Sequence, residues 1–225
     1  MTLLSFIENI GLILQRYGFV FAQGLWNTLW LSFVSVFLGT FLGVLVALGK
    51  LSRYKLLNGV VSAYIEVIRG TPILLQLYFF WLALPNLLPS ISDTACILSA
   101  LVVNASAYIA EVIRAGIQAV DAGQREASLS LGMTEQAIMT KIIFPQAIKN
   151  ILPALGNEVI VMIKQTSLAS VFFFGELMTA YKKVQSSTFL ALEPLTISGL
   201  IYLILTVSLS WVTRYFEKRM KQNER

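Results

Sequence analysis

The sequence predicts an all-α integral membrane fold with about five membrane-spanning helices. Three observations lead there. Of 225 residues, 56% are hydrophobic and only 13% charged, where soluble domains carry about 25% charged residues; mean hydropathy is +0.74. Two stretches, Thr28 to Leu48 and Leu195 to Thr213, contain no charged residue, and each is long enough for a bilayer core that takes about 20 apolar residues to cross. The cations stand in short clusters between the apolar runs, as expected where loops meet lipid headgroups.

Residues 1–22 place Glu8 and Arg16 among apolar positions, a pattern that predicts an interfacial helix rather than a span. Glu8 and the lack of a basic start argue against a cleaved signal sequence. Trp26 and Trp30 suit the headgroup level at the start of the first span, Thr28 to Leu48. The second span, about Leu57 to Leu84, contains Glu66, Arg69 and Pro72, and Gly70-Thr71-Pro72 is expected to break it. The third covers about Thr94 to Ala115, with Glu111 and Arg114 near its end. The fourth, about Leu152 to Ala180, holds Glu158, Lys164 and Glu176. It is too long for one straight crossing, so a bend or re-entry is expected around Gln165 to Ser167. The fifth is Leu195 to Thr213. No linker divides the chain, which reads as one domain over 1–225. The echo between Ala63–Arg69 and Ala107–Arg114 needs a one-residue insertion and is read as chance.

Threading five spans with the N-terminus outside puts 12 of the 17 Lys and Arg on the inner side, 3 outside (Arg16, Lys182, Lys183) and 2 within spans (Arg69, Lys164). The positive-inside bias therefore predicts N-out, C-in. The net charge of +5 is explained by membrane lipid and topology, not by nucleic acid. One cysteine, Cys96, and no histidine exclude a disulfide within the chain and a His- or Cys-cluster metal site.

The longest hydrophilic stretch, about 116–150, lies between the third and fourth spans. Ala122 to Leu131 is helix-forming, Gly132 suits a left-handed helix closure, Thr134 suits an N-cap, and a second short helix is expected to run to about Ile143, before Pro145. Within it, Glu126-Ala127-Ser128 is followed after three residues by Gly132, after nine more by Ile142, and then by Phe144-Pro145. This resembles the EAA loop of ABC importer permeases: Glu-Ala-Ala, three residues, Gly, nine residues, Ile, one residue, Leu-Pro. Ser128 and Phe144 are mild departures. Arg69-Gly70-Thr71-Pro72, Asn104 to Arg114, Leu152 to Glu158 and Lys164 to Leu168 look like the polar amino acid branch, and the resemblance covers roughly residues 20 to 215.

The resemblance implies a type I importer permease fold in which Glu126, Ala127, Ser128, Gly132 and Pro145 form a cytoplasmic coupling element on a separate ATPase subunit. ATP and magnesium would belong to that partner. It also implies an extracytoplasmic solute-binding protein, a second permease copy or homologue, and a polar amino acid as substrate. Gly43 to Lys50 is no substitute ATP site, since five residues separate Gly43 from Gly49 and Leu51 follows the lysine. Packing through Gly39 and Gly43 explains that stretch better.

Charges inside spans face cavities or partners because burying them in lipid is costly. Glu66 and Arg69, three apart, are expected to satisfy each other, and Glu111 with Arg114 to form a structural pair or a subunit contact. Lys164 either snorkels or supports the bend. Asn157, Glu158, Met162 and Gln165 build a partly polar helix face, and with Gly70 and Thr71 of the broken span they are the expected substrate pathway. The alternatives are a self-sufficient secondary transporter using Glu66, Glu111 or Glu158 as an ion relay, and a membrane anchor or assembly factor.

Overall fold

The computed structural model describes residues 2–222, and every regular element among them is helical. Arg225, counted above among the inner cations, lies outside the described residues. The helices are α1 (Leu3–Lys50), α2 (Lys55–Gly70), α3 (Ile73–Leu87), α4 (Asp93–Gln118), α5 (Ala122–Ser130), α6 (Glu135–Ile138), α7 (Phe144–Gln165), α8 (Leu177–Thr188) and α9 (Leu192–Gln222). A π-helical turn, Met139–Ile143, joins α6 to α7, and a 3₁₀ segment, Thr166–Phe172, continues α7.

Three helices are long and apolar enough to cross a bilayer: α1, α4 and α9. Two bent pairs bring the number to five. The pair α2 and α3 turns by 108°, and the pair made of Glu135–Phe172 and α8 turns by 47°. The first bend falls where expected. Pro72 lacks an N–H and disfavours helical backbone in the residue before it, and Thr71 is extended at φ −114°, ψ 144°. The second bend is corrected: at Gln165 to Ser167 the helix only tightens to 3₁₀ winding from Thr166, and the break comes later, between Phe172 and Leu177, where Phe173 is left-handed at φ +56° and Glu176 caps a new helix.

The N-terminal expectation is corrected. No break separates residues 1–22 from the first span; α1 runs unbroken for 48 residues, about 72 Å at 1.5 Å per residue. No proline precedes Pro72, so nothing in the stretch obliges the helix to stop. A further correction concerns the hydrophilic loop. Its second helix does not end before Pro145 but passes through the π turn into α7, with Pro145 as the second residue of that helix.

The chain folds as two compact units. The first comprises residues up to Ser35, Ile73–Leu101 and Ile160–Ser208. Its core joins Ile13 and Phe21 of α1, Leu177, Ala180 and Val184 of α8, and Ile197 of α9. Gly24 permits the close approach of α1 to α8: a Cβ there would stand 2.9 Å from the Ala180 Cβ. The same unit buries Glu193, which accepts from Asn9 Nδ2 at 3.0 Å.

The second unit comprises Val36–Pro72, Val102–Val159 and residues from Leu209 onward. Small residues bring its helices together. A Cβ on Gly39 would lie 2.5 Å from the Ala105 Cβ, and one on Gly43 2.9 Å from Ile109 Cγ2, so both glycines serve helix packing. Ala47, Ile65 and Ala110 form a small core beside them. Tyr64 links α2 to α4 through hydrogen bonds to Ser106 Oγ (2.6 Å) and Val103 O (3.1 Å).

Candidate functional site

The hydrophilic loop of the second unit is a tight helical hairpin. Asp121 caps α5 by accepting from Gly123 N at 2.6 Å. The helix closes with paired reverse bonds, Met133 N to Ser128 O at 3.1 Å and Gly132 N to Leu129 O at 2.9 Å. Gly132 has φ +75°, the left-handed closure that glycine adopts without a Cβ penalty. Thr134 Oγ1 then accepts from Ala137 N at 3.3 Å and starts α6. An ion pair from Arg125 to Glu135 ties the two arms together.

Glu126, Ala127 and Gly132 lie exposed on this hairpin, whereas Ser128 turns inward. Its hydroxyl donates to Gln124 O at 2.7 Å, which satisfies the one polar atom that distinguishes it from alanine. Leu131, not singled out by the sequence reading, is 82% exposed beside Gly132. An apolar side chain held out at a hairpin tip is the kind of group that a docking partner covers; its place directly before the glycine was the available signal. Pro145 is exposed at the start of α7. The wide turn over Met139–Ile143 makes room for a ring that would press on the carbonyl four residues earlier in a regular helix.

The charged residues of α2 and α4 form a second feature of the same unit. Tyr108, Glu111, Arg114 and Gln118 stand on one face of α4 by helical spacing. Glu111 Oε2 accepts from Arg114 Nη2 at 2.8 Å, so the expected pair forms. The pairing expected between Glu66 and Arg69 does not. Arg69 lies 5.4 Å over the Tyr108 ring and 3.5 Å from Glu111, while Glu66 makes no ion pair among the described residues. The reason is geometric: Tyr108 and Glu111 sit one helical turn apart and offer the guanidinium a ring face and a carboxylate at once. Together with Lys50 and Ser62, joined by a hydrogen bond from Lys50 Nζ to Ser62 Oγ, these charges line a cleft of about 420 Å³.

The remaining predicted residues are dispersed. Asn157 is exposed and Glu158 half-buried on α7, with the Arg69 charge within electrostatic range of Glu158. Gly70 and Thr71 end α2 in the same unit. Met162 and Gln165 belong to the first unit. Met162 is 2% exposed, packed among neighbours and absent from the open polar face expected of it. Gln165 is half-buried at the last residue of α7, and Lys164 beside it is exposed.

A family model described as binding-protein-dependent transport system inner membrane component matches residues 39–222. The chain belongs to this family. Among curated relatives, the arginine transport system permease protein ArtQ of Bacillus subtilis is 37% identical over 203 residues, covering 90% of this chain and 93% of its own. The glutamine transport system permease protein GlnP of Escherichia coli K12 is 37% identical over 202 residues, covering 88% and 92%. A crystal structure of an amino acid ABC transporter with histidines is 47% identical, with a TM-score of 0.89 over 92% of this chain and 97% of that one. The MetNI methionine ABC transporter, in an inward-facing conformation, shares the fold at 19% identity and a TM-score of 0.74.

As an inner membrane component, the chain is a multi-pass membrane protein and the permease part of its transport system. Two features of the first unit escaped the sequence reading. Glu176 is fully buried and caps α8, accepting from Met178 N and Thr179 N at 2.7 Å each and from Tyr202 OH at 3.0 Å. Gly175 before it and Thr179 three residues after it were the local signals of a cap. Lys182, counted outside, donates to Ser170 O at 3.2 Å.

Proposed function

We propose that the chain is the membrane-spanning subunit of an ATP-driven ABC importer for polar amino acids in a bacterial inner membrane, oriented N-out, C-in. Two copies, or one copy and a homologue, enclose the pathway, and an extracytoplasmic binding protein delivers the substrate. ATP and magnesium bind on separate ATPase subunits. The hairpin carries this reading: its conformation is fixed at both ends and by an ion pair across its arms, while Glu126, Ala127 and Leu131 stay exposed. A rigid element with an open docking face is suited to transmit a push and has no chemistry of its own. The amino acid class is supported by the arginine and glutamine permeases among the relatives and by the 47% identical amino acid transporter.

Within the second unit, Gly70, Thr71, Asn157 and Glu158 are the residues assigned to the pathway. Glu158 and the carbonyl oxygens freed at the broken C-terminal end of α2 receive the ammonium or side-chain cation of the passing amino acid. Glu66, Arg69, Glu111 and Arg114 of the same unit shape the surrounding field, and Lys164 supports the bend of its own span in the first unit. The experiment is reconstitution in liposomes with and without the ATPase subunits and binding protein, following uptake of labelled L-arginine and L-glutamine. Uptake is expected only with the partners and ATP. Gradient-driven uptake by the isolated chain would establish the ion-relay alternative instead.

A further inference from the structure

Between the start of α7 and the end of α9, both within the second unit, lies a groove of about 340 Å³. Leu152, Pro153 and Gly156 line it from α7, and Val212, Phe216 and Met220 from α9. Direct helix contact borders it, since a Cβ on Gly156 would stand 2.9 Å from Thr213 Cγ2. Thr213 brings the one side-chain hydroxyl of the lining, and that hydroxyl donates to Leu209 O at 3.0 Å. The groove therefore offers a polar solute no free side-chain donor, whereas a hydrocarbon chain enters it without leaving a polar group unpaired.

The same residues fix the level of the groove in the membrane. The charge-free run of α9 ends at Thr213, and the exposed Trp211 and Tyr215 suit the headgroup region. Only 11% of the apolar window of α9 is buried within the chain, which leaves its surface to lipid or to another chain. Cations gather at this level. Arg214, Lys218 and Arg219 follow Thr213 closely, with Glu217 as the one acid among them. Two cations flank the groove itself. Lys149 lies one turn before Leu152 and Pro153 on the lining face of α7, and Arg219 lies three residues after Phe216 on the lining side of α9. Arg219 stands 5.8 Å over the Tyr215 ring, a contact with the ring face that leaves guanidinium N–H donors for an anion. By the same spacing, Arg214 and Lys218 lie around the opposite face of α9. A second copy of the chain seated here in two-fold fashion would bring the same cations against them, whereas an anionic lipid neutralises them. The geometry points to a binding site for one anionic phospholipid of the inner leaflet. Its acyl chain lies in the groove between α7 and α9, and its phosphate meets Lys149 and Arg219. The choice of leaflet rests on the C-in orientation proposed above; the site itself does not depend on what is transported.

The test reconstitutes the full chain in phosphatidylcholine vesicles with a trace of phosphatidylglycerol that carries a diazirine in one acyl chain. Photolabel is mapped by peptide mass spectrometry. It is expected to concentrate on 152–156 and 212–220. A phosphatidylcholine probe with the same acyl chain is expected to label these segments far less. K149Q/R219Q is expected to lower the phosphatidylglycerol label by about tenfold or more, since each basic residue near an anionic surface contributes a factor of about five. R214Q/K218Q removes the same charge from the other face of α9 and is expected to label like wild type. L152W fills the groove without changing charge and is expected to lose the groove label, which adhesion by charge alone would keep. Where a variant does not fold, the wild-type map and the comparison of the two probes decide. Equal labelling by both probes, or label spread evenly over the apolar helices, shows only surrounding bulk lipid and overturns the site. So does a C96S/F216C thiol that a short bismaleimide joins to a second copy, because protein then covers the groove. A reversed topology would sink the importer reading and move the site to the other leaflet, but would leave this label in place.

Discussion

At the scale of single residues, Glu158 illustrates how placement sets what a charge can do. It is half-buried on α7 with one cation in range and no ion pair of its own among the described residues. A carboxylate in that state has free acceptor capacity for a ligand, whereas Glu111, already bonded to Arg114 and close to Arg69, does not. E158Q is therefore expected to weaken ATP-driven uptake of L-arginine by about tenfold, since a hydrogen bond to a charged group contributes about 1.5–3 kcal/mol. Binding-protein-stimulated ATP hydrolysis should persist in the same preparation. Equal uptake by E158Q and wild type across substrate concentrations removes Glu158 from the pathway. The glycines make a second residue-scale case. G39A drives a methyl to 2.5 Å from the Ala105 Cβ and is expected to cost about 1–3 kcal/mol, seen as a lower melting temperature in detergent. Gly59 has nothing within 4 Å of an added Cβ, so G59A should melt no lower than wild type.

At the scale of elements, α8 depends on a single buried acid. Glu176 supplies the N-cap of the helix and the acceptor for Tyr202, both inside the first unit. E176A leaves two backbone donors and a tyrosine hydroxyl without their partner, and is expected to lower stability by about 2–4 kcal/mol. E176Q keeps one carbonyl acceptor and should lose less; an E176A complex that melts with the wild type would show that the cap carries no weight. Most elements were legible in the sequence. The charge-free runs located α1 and α9, Pro72 located the first bend, and Gly132 with Thr134 located the hairpin turn, because each of these is decided by residues close in the chain. What escaped was decided at a distance or by permissiveness. Arg69 pairs with Glu111 across two helices, 42 positions away, where sequence spacing suggested Glu66. The start of α1 was misread because charges at Glu8 and Arg16 suggest a boundary that the backbone, free of proline, has no need to make. Met162 shares a helical face with Glu158 by spacing, yet its side chain is packed away at 2% exposure, which spacing alone does not reveal.

At the scale of the whole molecule, orientation is the property on which the importer reading turns, because a coupling hairpin serves an ATPase only from the cytoplasmic side. The proposed arrangement leaves 12 of 17 cations inside and 3 outside. Translocating lysine and arginine across the membrane during insertion is disfavoured, and short loops rich in them stay in the cytoplasm. Lys182 and Lys183 oppose the trend, but Lys182 is engaged with Ser170 and lies on a short helix that closes a broken span. Two exposed serines report the two sides: Ser130 on the hairpin and Ser186 on α8. Cys96 is buried, and replacing it with serine leaves a background without thiols. In intact cells made permeable only at the outer envelope, C96S/S186C is expected to react with a membrane-impermeant maleimide. C96S/S130C should react only after the inner membrane is opened. Labelling of S130C from outside would place the hairpin beyond the reach of any cytoplasmic ATPase, and the importer reading would fall with it.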